Sequence, residues 1–180
     1  VIHRDLKPSN LMIASRQGES EISDSLLVKV IDFGIAKITG TGIDQTQAGF
    51  IGTPAYASPE QFTGSEEAPV DTRSDIYSLG STLWYLISGR TPFVGRTLEE
   101  IQKKQSEELP LEQLRMASVS NKMIGLLKSM LAVDPGDRPQ SARELLAAIH
   151  RCRKEEDDEP AMIEAALRRG PQHGRGVHPG

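Results

Sequence analysis

SDIYSLGSTLWYLISG, residues 74–89, places Ile76, Tyr77, Leu79, Leu83, Trp84, Tyr85, Leu86 and Ile87 in one uninterrupted stretch. Wound at 3.6 residues per turn, these side chains fall on nearly every side of a helix. A helix with so little polar face belongs at the centre of a bundle, so the rest of the chain must supply elements to cover it. Gly89 is a plausible stop, and Pro92 prevents the helix from resuming. The apolar run is too short for a bilayer, which needs about 20 residues, and residues 1–20 lack the pattern of a signal peptide.

More helices follow. Thr97-Leu98-Glu99-Glu100 is a capping box that opens a short charged helix, Ser120 or Asn121 starts another through MIGLLKSMLAV, and Ser141-Ala142-Arg143-Glu144 is a second capping box ahead of LLAAIHRC. Before the central helix the pattern differs. Residues 11–13 and 26–31 are short β-type runs separated by a polar, turn-forming segment, which reads as a hairpin. Residues 32–60 hold no sustained period, and a loop that long is usually functional or disordered. From 154 onward an acidic run and a Gly-rich end cannot build a core. The fold class expected is α+β: mainly helical, with a small hairpin near the start, in a domain at 1–153 and a mostly disordered tail at 154–180.

A net charge of −4 and 4% aromatic residues give no reason to expect a nucleic-acid partner. Cys152 is the one cysteine, so an intrachain disulfide is impossible and a reducing, cytoplasmic location is expected.

The chemistry is concentrated in VIHRDLKPSN, residues 1–10. A carboxylate (Asp5), a lysine (Lys7) and a carboxamide (Asn10) stand at spacings of two and five, and the hairpin that follows ends in Asp32-Phe33-Gly34. In this order the two motifs resemble the catalytic and metal-binding loops of eukaryotic-type protein kinases. The lysine at that spacing is similar to serine/threonine kinases, and GTPAYASPEQ (52–61) to their bacterial branch, with Ser58 where many relatives have alanine.

The resemblance implies a site. Asp5 would orient and deprotonate the acceptor hydroxyl of a protein Ser or Thr. Lys7 would reach the γ-phosphate of ATP, Asn10 and Asp32 would hold Mg²⁺ through hard oxygen ligands, and Met12 would touch the adenine. Thr53 would hydrogen-bond Asp5 and Lys7 beside the incoming hydroxyl. Glu60 would pair with Arg138, and Asp75 would cap the His3-Arg4 turn. His3 and Phe33 would serve as positioning residues only. Arg4 would respond to a phosphate on the activation loop, at Thr39, Thr41 or Thr46.

The resemblance runs from residue 1 to about 152 and covers only the later part of a kinase domain. No Gly-x-Gly-x-x-Gly loop and no Val-Ala-x-Lys strand occurs in the sequence. The expectation is therefore a kinase C-lobe with the N-lobe absent: a fragment inactive by itself, with an apolar patch left uncovered. The alternative is a non-catalytic binding or regulatory module, although such a module has no chemical need for Asp5, Lys7, Asn10 and Asp32 together. A small-molecule phosphotransferase is disfavoured by Lys7, by the 52–60 segment and by Arg138.

Overall fold

The computed structural model describes residues 1–15, 26–32, 53–63 and 69–153. The expected tail, Phe33, Gly34 and the candidate phosphorylation sites Thr39, Thr41 and Thr46 lie outside the described residues.

The chain enters as an extended segment and makes a 3₁₀ turn at Pro8–Asn10, where proline suits the first position of a helix. It then forms a two-stranded antiparallel hairpin, β1 (Leu11–Ser15) with β2 (Leu26–Val30), in which Leu11 faces Val30 and Met12 faces Lys29. Val, Ile and Leu suit strands, yet Ile13, Val28 and Leu27 remain exposed on this hairpin.

A second 3₁₀ turn at Pro54–Tyr56 leads into the short helix α1 (Pro59–Thr63). The central helix α2 spans Thr72–Ser88, beginning two residues before the apolar run because Asp71 caps it: its side chain accepts from the Arg73 amide. It ends at Gly89, in the left-handed conformation (φ 73°) that glycine adopts without strain. Beyond it come α3 (Leu98–Gln105), α4 (Glu112–Met116), α5 (Asn121–Met130) and a last helix, α6, at 142–153. Thr97, Ser120 and Ser141 each accept an amide hydrogen bond three residues on. Glu100 and Glu144 reach back to the amides of Arg96 and Gln140, one residue before the cap.

The core gathers Ile76, Tyr77 and Trp84 of α2 with Phe93, Ile101, Leu114, Leu127, Met130, Leu131 and Leu145. Trp84 is fully buried and its indole N–H donates to Gln113 (2.9 Å), which ties α2 to α4. The burial of α2 departs from the apolar count in one respect. Its last turn leaves Tyr85, Leu86 and Ile87 exposed, while Ser74, Ser78, Gly80, Ser81 and Thr82 are buried. These small residues let other chain segments approach closely. A Cβ on Gly80 would lie 3.0 Å from Met130 Cβ of α5.

Candidate active site

The first ten residues owe their shape to α2. Both Asp75 carboxylate oxygens accept backbone N–H groups, from His3 at 2.7 Å and from Arg4 at 2.8 Å. Arg4 is thereby held at φ 66°, a left-handed conformation that side-chain-bearing residues seldom adopt. His3 is buried, and its Nε2 lies 3.1 Å from the Ile31 carbonyl, which can only accept. Nε2 therefore carries the proton, and Nδ1 accepts from the Asp5 amide at 3.3 Å. With both ring nitrogens committed, His3 joins the loop to the end of β2.

Asp5 is the point of convergence. Its carboxylate lies 3.0 Å from Lys7 Nζ, accepts from Asn10 Nδ2 at 3.3 Å, and accepts from the Thr53 amide at 3.1 Å. Lys7 also donates to the Thr53 hydroxyl at 2.7 Å. Thr53 thus meets both partners, Lys7 through the side chain and Asp5 through the backbone. Asn10 is buried, and its Nδ2 also donates to the Asp5 carbonyl (2.8 Å), which turns Oδ1 to the opposite side. Ile31 donates to the Asn10 carbonyl (2.9 Å), so Asp32, exposed and at φ 54°, stands next to Asn10 along the hairpin. Met12, on β1 beyond Asn10, is half-exposed.

The carboxamide oxygen of Asn10 and the carboxylate of Asp32 are hard oxygen donors, the kind Mg²⁺ accepts. Among the described residues no group of three or more His, Cys, Asp or Glu forms a metal site. An ion that takes most of its ligands from phosphate and water needs no such group.

Glu60 and Arg138 hold the segment that carries Thr53. Arg138 places its five N–H donors on Glu60 Oε1 (2.7 Å) and Oε2 (2.9 Å) and on the carbonyls of Arg73, Ala132 and Val133, and its guanidinium lies 4.9 Å from the Tyr77 ring centroid. Ser74 adds a third bond to Glu60 at 2.6 Å. Burial pushes the Glu60 carboxyl upward, but the hydrogen bonds from Arg138 and Ser74 outweigh it and hold the group below its ordinary value. Two glutamines to which the sequence reading gives no role also grip this segment. Gln61 bonds Ser58 and the Arg4 carbonyl, and Gln105 of α3 donates to the Ala57 carbonyl at 2.8 Å.

Residues 1–149 match the family model described as the protein kinase domain. The serine/threonine-protein kinase pkn3 of Myxococcus xanthus is 41% identical over 162 residues, covering 86% of this chain and 28% of the relative. The kinase PknB of Mycolicibacterium smegmatis is 36% identical over 173 residues, covering 93% of this chain and 26% of the relative. Among solved structures, that of Rad53 1–466 in complex with AMP-PNP is similar with a TM-score of 0.57 and 27% identity, over 81% of this chain and 33% of that one. The chain thus spans about a quarter to a third of the length of these proteins.

Proposed function

The chain belongs to the protein kinase family, and from that premise we propose that it carries the phosphate-transfer half of a serine/threonine protein kinase. The observation that supports this reading is the convergence of Lys7, Asn10 and the Thr53 amide on the Asp5 carboxylate. Fixed by three donors, that carboxylate is oriented to accept the proton of an incoming Ser or Thr hydroxyl and to aim the oxygen at phosphorus. Lys7, two residues on, balances charge on the phosphate being transferred. The Lys7–Thr53 bond sets the ammonium within reach of Asp5, and the Thr53 segment forms the wall beside which the acceptor hydroxyl lies.

Asn10 Oδ1 and the Asp32 carboxylate would hold Mg²⁺, which when bound neutralises phosphate charge. Met12 would form the lower contact for adenine. The relatives named above are serine/threonine-protein kinases, and the Rad53 structure holds AMP-PNP. ATP as donor and a protein hydroxyl as acceptor follow by analogy, and a cytoplasmic setting, where ATP is plentiful, is part of the same reading. The 180 residues contain no glycine-rich loop, so the chain needs a second lobe to close over the nucleotide. Oriented binding is worth about 7–11 kcal/mol, so the chain alone should show no detectable turnover.

The test is labelled γ-phosphate transfer from MgATP to protein, by the chain alone and joined behind the amino-terminal lobe of a relative. The reading predicts phosphoserine and phosphothreonine from the joined form, dependence on Mg²⁺, and nothing from the chain alone. An inactive joined form, or one making phosphotyrosine only, would reject it.

A further inference from the structure

We propose that Gln61 is a positioning residue of this site, clamping the Arg4–Asp5 turn to the segment that bears Thr53; the inference rests on the kinase reading above. The Gln61 carboxamide works at both ends. Its Nε2 donates to the Arg4 carbonyl at 3.0 Å, and its Oε1 accepts from the Ser58 amide at 3.1 Å and from the Ser58 hydroxyl at 3.2 Å. Ser58 is fully buried, so the acceptor end is anchored in the core side of the segment.

The Arg4 end is where the leverage lies. Arg4 holds a left-handed backbone at φ 66°, which persists only where neighbours hold the atoms around it. Asp75 fixes the Arg4 amide and His3 Nδ1 fixes the Asp5 amide. Gln61 fixes the Arg4 carbonyl, the other end of the same Arg4–Asp5 peptide unit whose N–H His3 holds. If that peptide rotated, the Asp5 side chain would swing away from Lys7 Nζ and the Thr53 amide. Alongside the Thr53–Asp5 and Lys7–Thr53 bonds, Gln61 joins the turn to the segment carrying that amide, and Gln105 pins the adjoining Ala57 carbonyl from α3.

Only a side chain with both a donor and an acceptor serves here. Leucine offers neither, and an ionised glutamate would set a lone pair against the Arg4 carbonyl. A protonated glutamate, in contrast, can donate to it.

The test compares wild type, Gln61→Leu and Gln61→Glu. Backbone amide exchange is followed in the 180-residue chain, and kcat and KM for ATP in whichever form transfers phosphate. Gln61→Leu is expected to lower kcat about tenfold, leave KM for ATP within about twofold, and speed exchange at residues 3–6 about tenfold with α2 unchanged. Gln61→Glu is expected to recover relative to wild type as pH falls toward the carboxyl range. Taking that ratio cancels contributions from groups that both proteins share, the Glu60–Arg138 pair among them. Wild-type kcat and exchange in Gln61→Leu would overturn the clamp. If that variant loosens α2 as well, a pH-independent ratio for Gln61→Glu overturns it instead. Should wild type transfer no phosphate in any form, the kinase reading fails, and exchange at residues 3–6 still decides whether the clamp exists.

Discussion

Glu60 and Arg138, 78 residues apart, form a two-pronged ion pair at 2.7 and 2.9 Å with both side chains buried. It ties the start of α1, directly after the Thr53 segment, to the turn between α5 and α6. Because neither charge reaches water, each depends on the other.

Removing one partner leaves the other charge buried and unpaired. Arg138→Met is expected to lower the unfolding free energy by about 3–5 kcal/mol, measured by urea or thermal denaturation. A double variant, Glu60→Leu with Arg138→Met, should recover most of that loss, since it leaves no charge stranded. Equal losses in the single and double variants would contradict this account of the pair.

The same pair sets an acid limit. Glu60 titrates below its ordinary value of 4.5 in the folded chain and returns to that value when unfolded. The unfolded state therefore binds the proton first, so stability is complete above about pH 4.5 and falls as pH drops through the folded value. Asp71, held low by its hydrogen bonds from Arg73 against the effect of burial, acts in the same direction. Unfolding free energy followed from pH 7 to pH 3 should decline below 4.5, and less steeply in Glu60→Gln. A wild-type profile flat to pH 3 would contradict it.

Two glycines separate packing from propensity. A Cβ at Gly80 would lie 3.0 Å from Met130 Cβ and 3.3 Å from Leu131 Cγ, whereas nothing lies within 4 Å of one at Gly125. Overpacking costs about 1–3 kcal/mol, and alanine in place of a mid-helix glycine gains roughly 0.5–1 kcal/mol. Gly80→Ala should destabilise on balance, and Gly125→Ala should stabilise, in the same denaturation measurement.

Much of this arrangement can be read from residue order, for reasons that differ from place to place. The run at 74–87 is helical in both sequence and structure, and Gly89 ends it as a left-handed cap should. The caps at Thr97, Ser120 and Ser141 are local hydrogen bonds, which a short motif describes fully. By contrast, α1 and α4 are five residues each, too short to display a helical period. The burial of Ser74, Ser78 and Ser81 in preference to Leu86 is set by neighbours distant in sequence. Apolar counting treats serine as surface, but Ser74 is drawn in by Glu60.

The site divides in the same way. Asp5, Lys7 and Asn10 stand out by residue type and spacing and Thr53 by the resemblance, and the structure brings these four together. The use of the Thr53 amide in place of its hydroxyl toward Asp5 is a backbone contact, which leaves no trace in residue identity. Gln61 and Gln105 are polar residues of ordinary type, whose bonds to Arg4 and Ala57 emerge only when distant segments meet.

The account rests most heavily on Asp5, and kcat for Asp5→Asn in the phosphate-transferring form tests it most directly. Asparagine keeps the size and can still accept from the Thr53 amide, but it cannot take a proton. The account predicts a fall in kcat of about 10²–10⁴-fold with KM for ATP little changed. An Asp5→Asn protein that transfers phosphate at the wild-type rate would contradict it.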